Sequence, residues 1–258
     1  MAPMPQPPKQ PPKPYYAPAP GEVAAEARRL GFALTKPQAE GLSHYLTMLL
    51  KWNRAMNLVG KTGWPEVFRD LAADSLYLGE FLGGLALPEA PLTLDLGAGA
   101  GLPGIPLRLV WGAGAYVLVE VREKRAIFLR QAVAELQQAG ALPGVRVFHG
   151  RAEAVGPELA RLGLPGHAGG HAGGHADGHS DGRTDLVLSR AFLPWPKLLP
   201  LAAGLISPQG RLVVLSNDPP PSPAVLAEAG GGFALEASRE YPSGARTRYF
   251  WSLTPDRA

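Results

Sequence analysis

The sequence predicts an α/β protein with a doubly wound, largely parallel sheet that follows a helical N-terminal section. From Leu92 onward, short apolar runs alternate with amphipathic segments, whereas between Gly21 and Leu82 apolar residues recur every three or four positions. Alternating strands and helices require right-handed crossovers, which place the strands parallel in one sheet covered on both faces. A chain of 258 residues is long enough to bury the core of such a sheet.

The predicted elements can be read directly from the apolar runs. Five buried parallel strands are predicted, at Leu92–Leu96, Tyr116–Val121, Val145–His149, Asp185–Ser189 and Arg211–Ser216. The clearest helix between them is Glu123–Gln138. Two later runs, Phe233–Tyr241 and Thr247–Leu253, predict a closing antiparallel pair joined through residues 242–245.

Composition divides the chain into three regions. We expect a disordered proline-rich tail at residues 1–20, a helical section at 21–90 and the α/β domain at 91–258. The helical section has a start signal at Thr35, with Pro37 in the first turn. A glycine-rich segment at 166–182 carries a histidine at every fourth position, but glycine disfavours a helix. We therefore predict a flexible insertion there and no metal site.

Charge and residue usage exclude several classes of protein. The absence of cysteine excludes disulfides, cysteine-based zinc sites and a thiol nucleophile. No apolar run reaches the roughly 20 residues that a membrane helix needs. The net charge of +3 permits a nucleic-acid partner without indicating one. We expect a cytoplasmic protein with no membrane partner.

The most informative stretch is a glycine-rich loop after the first predicted strand. Asp95 is followed by glycine at alternate positions, Gly97, Gly99 and Gly101. Glycine lets a backbone turn sharply and approach a ligand without a Cβ clash. In doubly wound sheets, the carboxyl end of the first strand is where ligands bind. About 20 residues further on, Glu120 ends the second strand, where a carboxylate can accept hydrogen bonds from ribose hydroxyls.

Two adenosine cofactors fit this layout. A dinucleotide needs G-x-G-x-x-G, which Gly99, Gly101 and Gly104 formally supply. However, Pro103 falls where amide donors should face a pyrophosphate. S-adenosylmethionine has no phosphate, and Gly97 to Gly101 would cradle it while Asp95 meets its amino-acid half. The sequence therefore favours S-adenosylmethionine.

Four motifs together resemble one protein family. They are DLGAGAGLPGIPL at 95–107, EKRAIFL at 123–129, RAE at 151–153 and SRA at 189–191, and WNRAMNL at 52–58 and DSL at 74–76 extend the match. These residues resemble the bacterial small-subunit (16S) rRNA guanine-N7 methyltransferases, also called glucose-inhibited division protein B. The resemblance runs from about Leu42 to Leu253 and implies a Rossmann-like class I methyltransferase sheet.

The resemblance also implies site residues. Gly97 and Leu102 correspond to loop positions that contact the cofactor, and Ala152 and Glu153 to the pair that flanks the adenine. Arg190 corresponds to an arginine at the mouth of the active site. The predicted cofactor-binding set is Gly97, Gly99, Gly101, Leu102, Glu120, Ala152, Glu153 and Arg190. No catalytic acid or base is predicted, because guanine N7 has a free lone pair and no proton to lose.

The resemblance further implies 16S rRNA, or the small-subunit particle, as the partner of an expected monomer. Candidate phosphate contacts are Arg122, Lys124, Arg125, Arg130, Arg246 and Arg248. The sequence departs from the family's pattern at Leu71, in place of a histidine, and at Ser216–Pro219, in place of a lysine-glycine element. These departures favour a methyltransferase with a protein or small-molecule substrate as the first alternative. A non-catalytic RNA-binding factor and an NAD-dependent oxidoreductase also stay open.

Overall fold

The computed structural model describes residues 16–161 and 182–256, and within them one seven-stranded sheet forms the centre of the molecule. Its strands are β1 Leu92–Leu96, β2 Ala115–Glu120, β3 Val145–His149, β4 Thr184–Arg190, β5 Ile206–Ser216, β6 Phe233–Ser243 and β7 Arg246–Pro255. Their order is β3-β2-β1-β4-β5-β7-β6. The chain winds outward from β1 to β3 and then returns to β4, so the order reverses beside β1 and creates a crevice at the carboxyl ends of β1 and β4.

Helices precede the sheet and cover both of its faces. They are α1 Pro20–Arg29, α2 Lys36–Met56, α3 Trp64–Val67, α4 Asp74–Gly83, α5 Gly104–Val110, α6 Glu123–Gln138, α7 Val155–Arg161, α8 Trp195–Leu205 and α9 Pro223–Glu228, with a π-helical turn at Phe68–Ala72 and a 3-10 turn at Ala152–Ala154. The strands β1 to β5 are parallel, and β7 is antiparallel to both β5 and β6. The predicted doubly wound α/β class with a helical N-terminal section is confirmed.

Side chains that alternate along each strand pack into two separate hydrophobic cores, one on each face of the sheet. On β2, Tyr116 and Leu118 pack with the N-terminal helices, α5 and α6, whereas Val117 and Val119 pack with α7 and α8. Successive strand residues point to opposite faces, so a strand buried on both sides is apolar at nearly every position. This explains why β2 could be predicted from the sequence as one continuous apolar run.

The antiparallel end of the sheet is longer than predicted. β6 continues to Ser243 and pairs there with Arg246, so the predicted linker at 242–245 contracts to a turn that contains Gly244 with a φ of 60°. Pro242 is tolerated because β6 is the edge strand and one side of its backbone has no neighbour to hydrogen-bond. β5 also begins earlier than predicted, at Ile206 rather than Arg211, because Ile206 pairs with Thr184 across an irregularity in the register.

The N-terminal helices pack against the loop that follows β1. Helix α2 begins after Thr35, whose hydroxyl caps the first turn as predicted. From α2, the buried Tyr45 hydroxyl donates to the carbonyl of Ala100 at 2.7 Å. From α4, the Ser75 hydroxyl donates to the carbonyl of Pro103 at 2.9 Å. The helical section therefore supplies donors to two carbonyls of the loop, of which that of Pro103 also accepts from the Leu107 amide at 3.0 Å.

Some predictions fall outside the described residues. The four histidines of the glycine-rich insertion lie there, and so do residues 1–15 of the predicted tail. The three proposed regions therefore stay a prediction. Among the described residues, no helix is both long and apolar enough to span a membrane, and no group of three or more His, Asp or Glu side chains is placed to hold a metal ion.

Helix α5 starts in very close contact with the sheet, and glycine is required at its first residue. A Cβ on Gly104 would contact the Asp95 carboxylate and would lie 2.6 Å from Leu118 Cδ2. We predict that Gly104→Ala lowers the free energy of unfolding by about 1–3 kcal/mol, the range for overpacked cores. Gly204→Ala, inside α8 with nothing within 4 Å, should instead raise it by about 0.5–1 kcal/mol. Urea unfolding measures both, and equal stability of the two variants would contradict this packing.

Candidate functional site

The glycine loop is tied to the end of β2 through its backbone. Gly97, Gly99 and Gly101 have φ values of 70°, 59° and 81°, which only glycine adopts freely. The amides of Gly97 and Ala98 both donate to the carbonyl of Val119, at 2.9 and 3.0 Å. The loop therefore folds over the carboxyl ends of β1 and β2, where the sequence predicted a ligand site.

Glu120 is oriented by two backbone amides. Its Oε2 accepts from the amide of Gly99 at 2.9 Å, and its Oε1 accepts from the amide of Arg122 at 2.7 Å. The residue is 4% exposed, and none of the described residues forms an ion pair with it. A carboxylate oxygen has two lone pairs, so each oxygen retains one for a ligand hydroxyl.

A cleft of about 320 Å³ opens beside Glu120. It is lined by Gly97, Val119, Glu120, Val121, Arg122, Arg125, Gly150, Arg151, Ala152, Glu153, Ala191, Phe192 and Leu193. The structure thus brings together four of the predicted cofactor residues: Gly97, Glu120, Ala152 and Glu153. Ala152 and Glu153 reach it from the 3-10 turn after β3, and the Glu153 carboxylate is exposed and pairs with Arg151 at 3.3 Å.

Three other predicted residues stand behind the cleft rather than in its wall. Gly99 supplies the amide that orients Glu120. A Cβ on Gly101 would lie 2.6 Å from Ile105 Cδ1 and 3.1 Å from Leu129 Cδ2, so this glycine permits close packing of the loop on α5 and α6. Leu102 is partly buried and packs against the core shared with the N-terminal helices. Direct contact of these residues with a cofactor stays a prediction.

Asp95 lies beneath the loop and not in the cleft. It is 1% exposed, and the Tyr116 hydroxyl donates to its Oδ2 at 3.2 Å. Burial raises the pKa of Asp95 to about 7, although the hydrogen bond from Tyr116, the charge of Arg190 and the amide of Gly104 all lower it. The structure therefore gives Asp95 a role in bracing the start of α5, and its contact with the amino-acid half of a cofactor stays a prediction.

A second cavity, of about 440 Å³, adjoins the cleft at Ala191 and Leu193. It lies at the carboxyl ends of β4 and β5 and is lined by Ser189, Arg190, Ala191, Leu193, Pro194, Trp195, Val214, Leu215, Ser216, Asn217, Asp218, Tyr241, Arg248 and Trp251. Arg190, predicted in the cofactor set, lies here. Its contact with a cofactor stays a prediction.

Arg190 belongs to a buried ionic cluster centred on Asp74. The Asp74 carboxylate is fully buried. It forms ion pairs with the guanidinium groups of Arg190, at 2.8 Å, and Arg248, at 2.6 Å, and it accepts a hydrogen bond from the Ser243 hydroxyl at 2.8 Å. Burial raises the pKa of Asp74 despite the opposing effect of both guanidinium groups. Arg190 also donates to the carbonyl of Leu71 at 3.2 Å. Arg248, predicted as a phosphate contact, is thus engaged in a buried ion pair.

Sequence reasoning missed the residues that separate the two cavities. Ala191 has a φ of 50°, a left-handed conformation that costs a non-glycine residue about 1–2 kcal/mol. A Cβ on Gly97 would lie 2.6 Å from the Phe192 ring, so that ring closes on the loop only because Gly97 is glycine. Leu193 lines both cavities. The only available signal in the sequence was the SRA motif, which ends at Ala191.

Comparison with known proteins identifies the family. The model of the family rRNA small subunit methyltransferase G (GidB) matches residues 38–220. The chain belongs to this family. It is 45% identical over 234 residues to ribosomal RNA small subunit methyltransferase G of Nitratidesulfovibrio vulgaris (strain DP4), which covers 91% of this chain and 93% of the relative. It is 37% identical over 254 residues to the protein of the same name from Oleidesulfovibrio alaskensis, with 96% and 98% covered.

The GidB assignment is consistent with the fold. Among solved structures, a mutant of MtNAS in complex with S-adenosylmethionine aligns with a TM-score of 0.50 at 16% identity, covering 92% of this chain and 78% of that one. An identity this low supports the Rossmann-like fold alone. The predicted family resemblance is confirmed, and the family match at 38–220 includes the glycine loop, Glu120, Ala152, Glu153 and Arg190.

The buried Asp95 predicts a specific pH dependence of stability. Its pKa in the folded state is about 7, against 3.8 for the ordinary group. Between these values the folded protein holds a proton that the unfolded chain has released, so rising pH disfavours the folded state. Relative to Asp95→Asn, the wild type should therefore lose up to about 4 kcal/mol of unfolding free energy between pH 4 and pH 8. Urea unfolding across this range measures the difference, and a constant difference would contradict the shifted pKa.

Proposed function

We propose that this chain transfers a methyl group from S-adenosylmethionine to N7 of a guanine in 16S rRNA. The observation that carries the proposal is the pair of adjoining cavities at the sheet's switch point, one of them built around the glycine loop and Glu120. Membership of the GidB family supports it, since the relatives are named ribosomal RNA small subunit methyltransferases.

The lining of the cleft supports S-adenosylmethionine as its ligand. Glu120 would accept hydrogen bonds from the ribose hydroxyls through its remaining lone pairs, and Ala152 with Glu153 would flank the adenine. Gly97 keeps the backbone side of the cleft free of a Cβ. When bound, S-adenosylmethionine supplies a methyl group on a positively charged sulfur.

The chain's own contribution to the reaction is positioning. Guanine N7 attacks with a free lone pair and loses no proton, so no residue has to act as a base. The boundary at Ala191 and Leu193, shared by both cavities, would hold base and cofactor next to each other. Holding two reactants in line in this way removes much of the entropic barrier of a bimolecular step.

Exposed basic side chains at Arg122, which lines the cleft, and along the following helix α6 suit a polyanion. Arg122, Lys124 and Arg130 are exposed, and none of them forms an ion pair with a described residue. Lysine and arginine side chains bind RNA phosphates without reading sequence. These residues would dock 16S rRNA, or the small-subunit particle, with the target base unpaired. The monomeric state and cytoplasmic location remain predictions of the sequence.

The structure also bears on the NAD alternative. A dinucleotide site needs the first turn of the helix after β1 to face the pyrophosphate. Here Gly104 and Ile105, which open α5, are buried against the sheet, and Gly104 directs its amide to Asp95. This geometry favours a phosphate-free cofactor. Protein, small-molecule and purely RNA-binding roles are left to experiment.

The first test concerns the cofactor. Glu120→Gln replaces one oxygen by an amide, so one of the two backbone donors loses its acceptor and the ribose loses a charged one. Hydrogen bonds to charged groups contribute about 1.5–3 kcal/mol, and we predict that affinity for S-adenosylmethionine falls about 10- to 100-fold. Calorimetry on the full chain measures this, with the exposed Glu123→Gln as the matched control. NAD binding in place of S-adenosylmethionine would overturn the proposal.

The second test concerns the substrate. We predict that 16S rRNA from a strain lacking this gene contains less 7-methylguanosine than wild-type rRNA, and that expression of the intact chain restores it. Nucleoside mass spectrometry of purified 16S rRNA measures the difference. Unchanged 7-methylguanosine would remove the rRNA assignment, whereas restoration by a chain that fails to bind S-adenosylmethionine would remove the cofactor assignment.

A further inference from the structure

Most backbone amides of the glycine loop already have an acceptor within the protein. Between residues 97 and 105, the amides that donate to described residues are those of Gly97, Ala98, Gly99, Gly101, Gly104 and Ile105. Pro103 has no amide hydrogen to donate. In this range, only Ala100 and Leu102 have an amide without an acceptor in the described part of the chain. The loop backbone therefore has few donors left for a negatively charged part of a ligand.

S-adenosylmethionine brings such a charge into the cleft, because its amino-acid half ends in a carboxylate. A carboxylate that is taken from water without enough donors is costly to bury. Glu120 raises that cost, since it is a second carboxylate in the wall of the same cleft and like charges repel. Arginine is the side chain best suited to offset both effects, because two parallel N–H groups of its guanidinium can bond both carboxylate oxygens.

Three arginines line the cleft, and only Arg125 is both partly buried and without a partner among the described residues. Arg151 is exposed, and its guanidinium pairs with the Glu153 carboxylate at 3.3 Å. Arg122 is exposed to solvent. The Arg125 guanidinium lies against the loop instead, since its Nη1 is 3.5 Å from the position that a Cβ on Gly99 would take. A cation is therefore held beside the loop with hydrogen-bond donors that no described residue uses.

We propose that Arg125 binds the carboxylate of S-adenosylmethionine and thereby orients the cofactor in the cleft. The inference rests on the function proposed above, because it assigns one end of that cofactor's site. Glu120 accepts from the amide of Gly99, and Arg125 lies beside the same glycine. In S-adenosylmethionine the sulfur lies between the ribose and the amino-acid half, so contacts at both parts fix the direction of the methyl group. Arg125 is thus a cofactor-binding residue with no part in proton transfer.

Partial burial separates this role from the one that the sequence predicted for Arg125. The sequence made it a candidate phosphate contact together with Arg122, Lys124 and Arg130, and those three side chains are exposed. The phosphates of an RNA lie on its outside and meet side chains that extend into solvent. A guanidinium that lines the cleft and lies against the loop is instead placed for a small ligand inside the cleft. The position of Arg125 therefore favours the cofactor over RNA.

The binding test compares S-adenosylmethionine with its decarboxylated form on the full chain, by calorimetry. The decarboxylated form keeps the sulfonium and the ammonium and has a hydrogen in place of the carboxylate. We expect the wild type to bind S-adenosylmethionine about 10- to 100-fold more tightly, the contribution of hydrogen bonds to a charged group. Arg125→Gln should bring this ratio close to one without weakening the decarboxylated form. A ratio near one in the wild type, or a wild-type ratio retained in Arg125→Gln, would overturn the inference.

Two further variants separate recognition of the carboxylate from support of the loop. Arg125→Lys keeps the charge but loses the bidentate geometry, so its ratio should lie between those of the wild type and Arg125→Gln. Arg54→Gln removes an exposed arginine of α2 that lines neither cavity and should leave the ratio unchanged. Thermal stability should be the same in all variants, because Arg125 has no partner among the described residues. A less stable Arg125→Gln that binds both ligands equally more weakly would show a structural role and overturn the assignment.

Methyl transfer to small-subunit particles from a deletion strain separates this inference from the proposed function. If the wild type binds no S-adenosylmethionine, both are wrong. If it binds with the expected ratio but forms no 7-methylguanosine in 16S rRNA, only the rRNA assignment is wrong. With an active wild type, we expect Arg125→Gln to raise the KM for S-adenosylmethionine about 10- to 100-fold and to leave the KM for the particles unchanged. The reverse pattern would assign Arg125 to RNA binding and overturn the inference.

Discussion

The hydrogen bond from the Gly99 amide fixes the Glu120 carboxylate in the wall of the 320 Å³ cleft. It joins the loop after β1 to the end of β2, and the second carboxylate oxygen is fixed by the amide of Arg122. Charge-assisted bonds of this kind are shorter and stronger than neutral ones. The loop needs further support, because its carbonyls are buried. Tyr45 and Ser75 provide it from α2 and α4, so the helical N-terminal section is part of the structure that shapes the site.

The parts of the site that the sequence could predict are those set by local patterns. Glu120 was predictable because an apolar strand ends there, and the loop because glycine alternates directly after another strand. The direction of Asp95 was also accessible in principle. Leu94 and Leu96 pack with one core, so the residue between them must face the other side of the sheet, toward Tyr116 and α5. A carboxylate in that position is buried under the loop.

The Asp74 cluster could not be predicted in the same way. Asp74, Arg190 and Arg248 come from α4, β4 and β7, and sequence separations of 116 and 174 residues leave no local signal for their pairing. Arg248 looked like one of several basic residues on a closing strand, because a buried and an exposed arginine are identical in a sequence. Only the tertiary packing that places α4 beside the end of β4 and the start of β7 brings them together.

A buried carboxylate paired with two arginines contributes little to the free energy of unfolding, because the cost of desolvation offsets much of the ionic attraction. Its position suggests a geometric role instead. The cluster anchors the end of β4 and the start of β7 to α4, and the next residue after Arg190 is the strained Ala191 at the boundary of the two cavities. An alanine with a positive φ is maintained only where several surrounding contacts fix its backbone conformation. With the Arg190 side chain bound to Asp74 and the Phe192 ring packed on Gly97, the backbone between them is held from both sides, at the boundary that the two cavities share.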